Sequence, residues 1–242
     1  MGVIPRQYKD MVSVIIPIRR GENIVKLLLS LANSSYKNLE VLVIDEGLER
    51  SAQRNIGIKK AQGEFLLILD SDQHVSPKLI SECVRDSKSF VDAFFIPEKL
   101  MSKGLFSYIR DWERQFYTGT PIDCVRFVKA KDCPKFDERQ SGPEDCDWDR
   151  RILGYRTITK NCLYHYENVG IVNYFKKKAY YAKSMRRFAE RNPGDKVLDW
   201  RWRCFGVFFE RGKWKRFLSR PDLALAVMAI ILARGVIYLC QR

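Results

Sequence analysis

Residues 64–72 read EFLLILDSD: five apolar side chains in a row, closed by two aspartates one residue apart. A short apolar run bounded by turn signals predicts a strand buried on both faces. Two upstream runs repeat the pattern, VSVIIPI at 12–18 and LEVLVID at 39–45, and the second also ends on a carboxylate, Asp45. Between the runs, Asn23 to Ala32 carries apolar residues at helical spacing, and Arg50 to Ala61 predicts a polar-faced helix that ends near Gly63. Strand, helix, strand, helix, strand is the order of an open α/β sheet, in which ligands bind outside the carboxyl ends of the strands. A helix from near Pro77 and a fourth strand over Asp92 to Pro97 extend the pattern.

Asp70 and Asp72 therefore carry chemical weight through their position. Two carboxylates at a strand end suit a hard divalent cation, Mg²⁺ or Mn²⁺, which in turn holds a diphosphate. The tripeptide alone would equally serve as a turn that starts the next helix. A second acidic cluster, Glu144-Asp145, follows the Gly142-Pro143 turn and opens a predicted helix, where acids often only complement the helix dipole. Asp147 and Asp149 lie nearby, at a spacing that also reads as an exposed helical face. Only two histidines exist, His74 and His165. His74 reads as a turn residue, and His165 in CLYHYEN follows a predicted strand.

The run from Val12 onward resembles the inverting family 2 glycosyltransferases and their GT-A nucleotide-sugar fold. The resemblance rests on SVIIP opening the sheet, VLVID closing the second strand and RSAQRNIGIKKAQGEFLLILDSD, and it covers roughly the first half of the chain. It implies a mixed sheet flanked by helices. It also implies a donor site containing Pro17, Asp45, Arg54 (with Asn55), Asp70 and Asp72, in which Asp45 contacts base or ribose and Asp70 reaches ribose or metal. Asp72, Asp70 and His165 are the expected metal ligands, and Asp145 of the E-D pair is the expected catalytic base. On spacing alone Arg54 reads as a surface charge on a polar helix. Two departures from the family pattern bear on donor recognition: Asp45 is followed by Glu46 rather than a second aspartate, and Ile18-Arg19-Arg20 stands where Tyr-Asn is common. Arg19 or Arg20 is placed to approach a diphosphate.

The whole chain has 242 residues and a net charge of +14, with 46% apolar composition, enough for a substantial core. Residues 161–242 hold 17 basic and 6 acidic side chains, so net +11 lies in the last third. Trp200, Trp202 and Trp214 are interleaved there with Arg and Lys, which predicts a membrane-facing annex rather than a nucleic-acid surface. Residues 1–166 are thus expected to form the catalytic domain, and residues 167–242 a helical, basic and aromatic region that includes an apolar helix over 221–240. Within it, Leu223 to Cys240 carries a single charge, Arg234. As a helix this run would be about 27 Å long, close to a bilayer's hydrocarbon core of roughly 30 Å. The stripe Leu105, Phe106, Ile109, Trp112, Phe116 fits core packing better than a membrane surface.

Seven cysteines without a C-x-x-C pair argue against a zinc site or disulfide framework and fit a reducing compartment. The N-terminus lacks the apolar segment of a signal peptide, and Arg6 disfavours myristoylation. The resulting expectation is a metal-dependent enzyme on the cytoplasmic face of the cell membrane. It would move a sugar from a nucleoside diphosphate to a hydroxyl of a glycan or lipid-linked glycan. The alternatives are a polyprenyl-phosphate glycosyltransferase, a sugar-phosphate nucleotidyltransferase, disfavoured by the missing glycine-rich phosphate loop, and a catalytically silent membrane-binding module.

Overall fold

A computed structural model describes residues 9–166 and 170–240; the N-terminal reading around Arg6 lies outside them. The three apolar runs form parallel strands β1 (Val12–Pro17), β2 (Leu39–Ile44) and β3 (Phe65–Ile68), in register from Val12 opposite Leu39 and Phe65. The intervening helices are α1 (Val25–Ala32) and α2 (Arg50–Lys60). Beyond β3 come β4 (Gln73–Val75), α3 (Leu79–Ser87), β5 (Ala93–Phe95), β6 (Glu98–Leu100), α4 (Leu105–Arg114), β7 (Val125–Lys129) and α5 (Glu144–Arg150). Then follow β8 (Arg156–Ile158), β9 (Leu163–His165), α6 (Ile171–Ala182), α7 (Met185–Arg191), a π-helical turn (Trp202–Gly206), α8 (Val207–Phe209), α9 (Trp214–Leu218) and α10 (Pro221–Cys240).

The main sheet runs β2-β1-β3-β7-β5-β8, with β7 antiparallel to both of its neighbours. The fold is therefore a mixed α/β sheet, parallel-rich, flanked by helices. Alternation along the strands gives two cores. Val12, Val14, Ile16, Phe65 and Leu67 face Leu27 and Leu31 of α1 and Ile80 and Val84 of α3. On the other side Ile15, Leu66, Ile68, Val125 and Val128 face Phe136 and the α5 residue Trp148, whose rings stack at 4.7 Å.

Helix α2 lies against β1 because Gly57 permits it: a Cβ there would sit 2.3 Å from Ile15. That close approach buries polar side chains as well as backbone, so each finds a partner. Asn55 bonds the Phe136 backbone in both directions, at 3.0 and 2.7 Å, and Gln53 donates to the Ile18 carbonyl at 2.8 Å.

A second, three-stranded sheet, β4-β9-β6, sits beside the β3 end and carries the segment after Asp70. The C-terminal region packs on the sheet-bearing part through an aromatic core. Trp112 of α4 and Phe116 contact Phe208, Phe217, Leu223, Val227 and Ile231. The stripe in α4 thus divides: Trp112 and Phe116 are buried, Phe106 meets Tyr174 edge-on, and Leu105 is exposed.

Candidate active site

A cavity of about 280 Å³ opens where β3, β6, α4, β7, α5, α6 and α10 meet, and Asp70, Glu98, Arg126, Glu144, Asp145 and His165 are among its lining residues. Behind its wall sits Arg54, which is 0% exposed. The α2 packing just described puts its guanidinium between the end of β3 and the start of α5. It donates to Asp70 at 2.8 Å, lies 3.4 Å from Glu144, and makes a close ion pair with Asp145. Its face covers the Phe136 ring at 5.1 Å. Arg50, one helical turn earlier, reaches Glu144 at 3.2 Å and donates to the Tyr181 hydroxyl at 2.7 Å.

These contacts set the protonation pattern. Burial alone would raise Asp70, but Arg54, Arg126 and Arg50 outweigh it and hold the carboxyl well below the ordinary range. Glu144 goes the other way: burial and the adjacent Asp145 charge push it up to about 7 against the pull of the two arginines. Glu144 is therefore poised to exchange a proton near neutrality beside the Asp145 carboxylate. The more accessible member of the pair, Asp145, has a side chain 32% exposed at the cavity wall.

A second network continues from Asp70. Arg126 lies 3.5 Å from its other oxygen and 2.8 Å from Glu98, which also pairs with Arg114. His165 bridges Glu98 at 3.2 Å and Asp72 at 3.1 Å. Burial would lower the imidazole, but bonding to Asp72 and Glu98 raises it to about 9. Arg126 and Glu98 were not anticipated from sequence. Both lie on short strands that only long-range pairing defines, and the charge of Arg126 inside the otherwise apolar run VRFV was the one available hint.

The expected metal ligands do not converge here. Among the described residues, no group of three or more His, Cys, Asp or Glu side chains is placed to hold a metal ion. Asp70 has both oxygens directed at arginines, and both His165 nitrogens face carboxylates. Asp72, with its side chain 40% exposed, keeps the character of a hard-cation ligand. Mg²⁺ commonly binds through one or two carboxylates with waters and substrate phosphates completing the shell, and Asp72 fits that donor set.

The remaining expected donor residues are more scattered. Pro17 is buried as the last residue of β1, and Asp45 is exposed just beyond β2; neither lines the cavity. Arg19 and Arg20 are exposed, and their loop is tied to the D-S-D turn because Ser71 donates to Glu22 at 2.6 Å. His74 lies in β4 with its ring against Tyr166 at 4.3 Å.

With this geometry in hand, the likeness to known proteins is informative. No family model matches the chain. A protein of Haemophilus influenzae named as an uncharacterized glycosyltransferase is 30% identical over an alignment of 94 residues, 27% of this chain and 38% of that protein. The match thus spans well under half of the relative's length. A mannosyltransferase, PcManGT from Pyrobaculum calidifontis, in complex with GDP-Man and Mn²⁺, superposes with a TM-score of 0.61 at 16% identity, covering 94% of this chain and 86% of that one. S. aureus TarS 1-349 in complex with UDP-GlcNAc gives a TM-score of 0.53 at 16% identity, covering 93% and 81%. At this identity the likeness establishes the fold. The sheet and helices of the present chain share the architecture of two proteins captured with sugar nucleotides.

Proposed function

We propose that the chain is a metal-dependent, inverting glycosyltransferase that moves a sugar from a nucleoside-diphosphate sugar to a hydroxyl of a lipid-linked glycan at the cytoplasmic face of a membrane. The observation that carries this reading is the Arg54 clamp. One buried guanidinium ties Asp70, at a strand end, to Asp145, at the opening of α5, and both carboxylates line one cavity. The sugar nucleotides held by proteins of the same fold, and the relative named as a glycosyltransferase, supply the donor class.

In this reading the donor's base and ribose lie over the ends of β1 to β3, near Pro17, Asp45 and Asp70. Asp72 would hold Mn²⁺ or Mg²⁺ together with the donor diphosphate, and the ion, when bound, would offset charge on the departing nucleoside diphosphate. The acceptor oxygen attacks the anomeric carbon from the opposite face as the bond to the diphosphate breaks, which inverts the centre. Asp145 takes the acceptor's proton. Arg54 fixes Asp145 in place, and Glu144 modulates its charge. His165 orients Asp72.

Membrane association is supported by α10, whose Leu225, Leu232, Val236 and Leu239 are exposed on one side. Because its opposite side packs on the protein, α10 suits an in-plane or deeply embedded position better than a free span.

Titration of UDP-GlcNAc and GDP-mannose in Mn²⁺, with nucleoside diphosphate release as the second readout, tests the reading. Binding of at least one donor and slow release are expected. Release should vanish in chelator, return with Mn²⁺ or Mg²⁺, and stay absent in Asp72→Ala. Failure to bind or cleave any sugar nucleotide would overturn the assignment, and full activity in chelator would remove the metal from it.

A further inference from the structure

The cavity has a second half with a different composition. Away from Asp70 and Asp145, its wall is made by Arg110 of α4, Lys178 of α6, Arg203 of the π-helical turn, and Arg234 and Tyr238 of α10. Among the described residues, the one carboxylate paired with these cations is Glu113, which is fully buried and pairs with both Arg110 and Arg234. Among the described residues, Lys178 and Arg203 have no carboxylate partner. Lys178 rests on the Tyr174 and Tyr181 rings at 5.4 and 6.0 Å. Arg203 covers the Tyr238 ring at 5.7 Å and donates weakly to the Val197 carbonyl at 3.4 Å. Among the described residues, these four cations therefore share a confined space with one paired carboxylate. Burial, with Arg110 and Arg234 nearby, holds the Lys178 ammonium well below the usual lysine range. Like charges crowded in a concavity of low dielectric are costly unless an anion occupies it.

The helix that helps build this half also indicates what would bring the anion. Along α10, Val227, Ile231, Arg234 and Tyr238 recur at i, i+4, i+7, i+11 and face the protein. Leu225, Leu232, Val236 and Leu239 lie on its exposed side. One helix thus presents an apolar strip to a lipid phase and a guanidinium to the cavity. A ligand with a charged head on a long apolar chain matches both.

We infer that the half of the cavity formed by Arg110, Lys178, Arg203 and Arg234 is an anion subsite that holds the phosphate of a membrane-borne amphiphile, the carrier of the acceptor sugar. The inference rests on the glycosyl-transfer reading for the word acceptor, but the anion site stands on its own residues. The subsite fixes the carrier's headgroup while the sugar hydroxyl reaches Asp145 in the same cavity. Arginine forks and a lysine point charge are the usual protein ligands of phosphate.

The test uses the full chain and three probes: an isoprenoid monophosphate in phosphatidylcholine vesicles, the corresponding isoprenoid alcohol in the same vesicles, and inorganic phosphate. Binding of each is measured for the wild type, Lys178→Met and Arg203→Gln, alongside binding of UDP-GlcNAc and GDP-mannose. Expected is preference for the phosphate lipid over the alcohol by roughly tenfold or more, lost in either variant, with donor affinity unchanged. Lys178→Met keeps the stem that packs on the tyrosines, and thermal melting confirms that each variant is folded. Equal binding of alcohol and phosphate, or variants that bind the phosphate lipid like wild type, would overturn the subsite. Loss of donor rather than lipid binding would assign these cations to the donor and overturn it as well. Inorganic phosphate binding as tightly as the lipid would overturn the membrane source. If no sugar nucleotide binds while the phosphate lipid does, the subsite stands and the glycosyl-transfer reading fails.

Discussion

The two halves of the cavity contain similar side chains in opposite balance. At the strand end, Arg50, Arg54 and Arg126 face Asp70, Glu98, Glu144 and Asp145, and each guanidinium has a carboxylate within about 3.5 Å. On the α10 side, Arg110 and Arg234 share Glu113, and Lys178 and Arg203 have no carboxylate partner among the described residues. The first half is a self-satisfied network in which charge positions other charge. The second is electrically incomplete among the described residues. A buried pair stabilises mainly in the sense that breaking it is costly, whereas an uncompensated cluster is costly as it stands and gains from a ligand.

The largest expected effect comes from deleting one half. Removing residues 221–242 takes away Leu223, Val227 and Ile231 from the aromatic core around Phe116 and Phe217, as well as Arg234 from Glu113. Each large apolar side chain lost from such a core is worth about 2 to 5 kcal/mol, so the truncated chain should fail to fold rather than turn into a soluble enzyme. Circular dichroism and melting decide this, and a cooperative, native-like melt would show that the halves are separable. Polar substitution of Leu225, Leu232, Val236 and Leu239 should instead release the protein from membranes in flotation assays with little change in melting temperature.

Next in size is Arg54→Met, which leaves Asp70, Glu144 and Asp145 facing one another around an apolar stem. A loss of about 3 to 5 kcal/mol is expected, on the order of 10 °C in a chain of this length. Arg203→Gln, in the unbalanced half, should be neutral or slightly stabilising when no ligand is present. Equal losses from both would erase the distinction between the halves.

Asp145→Asn should keep donor binding and lower transfer on the order of a hundredfold. Glu144→Gln is the informative partner. Burial and the Asp145 charge push Glu144 up to about 7, so replacing it with a group that cannot ionise should flatten the limb of the pH-rate profile near neutrality while transfer persists. If Glu144→Gln abolishes transfer and Asp145→Asn spares it, the roles are exchanged.

An effect confined to a pH window concerns Asp123, between the halves, which accepts from the Gly119 and Cys124 amides at 2.9 Å each. Burial pushes its carboxyl up to about 7. A raised acid favours the folded state fully below its unfolded value, near 4, and loses that advantage as pH rises through about 7. Asp123→Asn should therefore flatten the fall in stability between about pH 4 and 7, measured by denaturant titration at several pH values. An unaltered slope would place the titration elsewhere.

How much of this was legible in advance follows from range. The runs at 12–18 and 64–70 declared β1 and β3 because a strand buried on both faces must be apolar throughout; the same pattern at 39–45 found β2, but as the edge strand it leaves Val41 and Val43 exposed instead of buried on both faces. The turn at Gly142-Pro143 followed by acids declared α5, and of the two strand-end aspartates Asp70 lies at the cavity while Asp45 does not. These are local signals, carried by adjacent residues. Arg54 had no such signal: on a polar helix it reads as solvent-facing, and only the approach of Gly57 to Ile15 takes it out of water and surrounds it with carboxylates. Arg126 and Glu98 depend on antiparallel and short-strand pairings across many residues, for which three- to five-residue segments carry little pattern. Arg234 reversed its apparent meaning in the same way. In sequence it is a lone charge in a membrane-prone run, but in the fold it points inward to Glu113. The sequence by itself determined the parallel core, the acidic strand ends and the basic, apolar character of the last third. The tertiary structure alone decided which of the described charges are paired with which, and which side of α10 faces the cavity, because burial and pairing depend on residues brought together from distant parts of the chain.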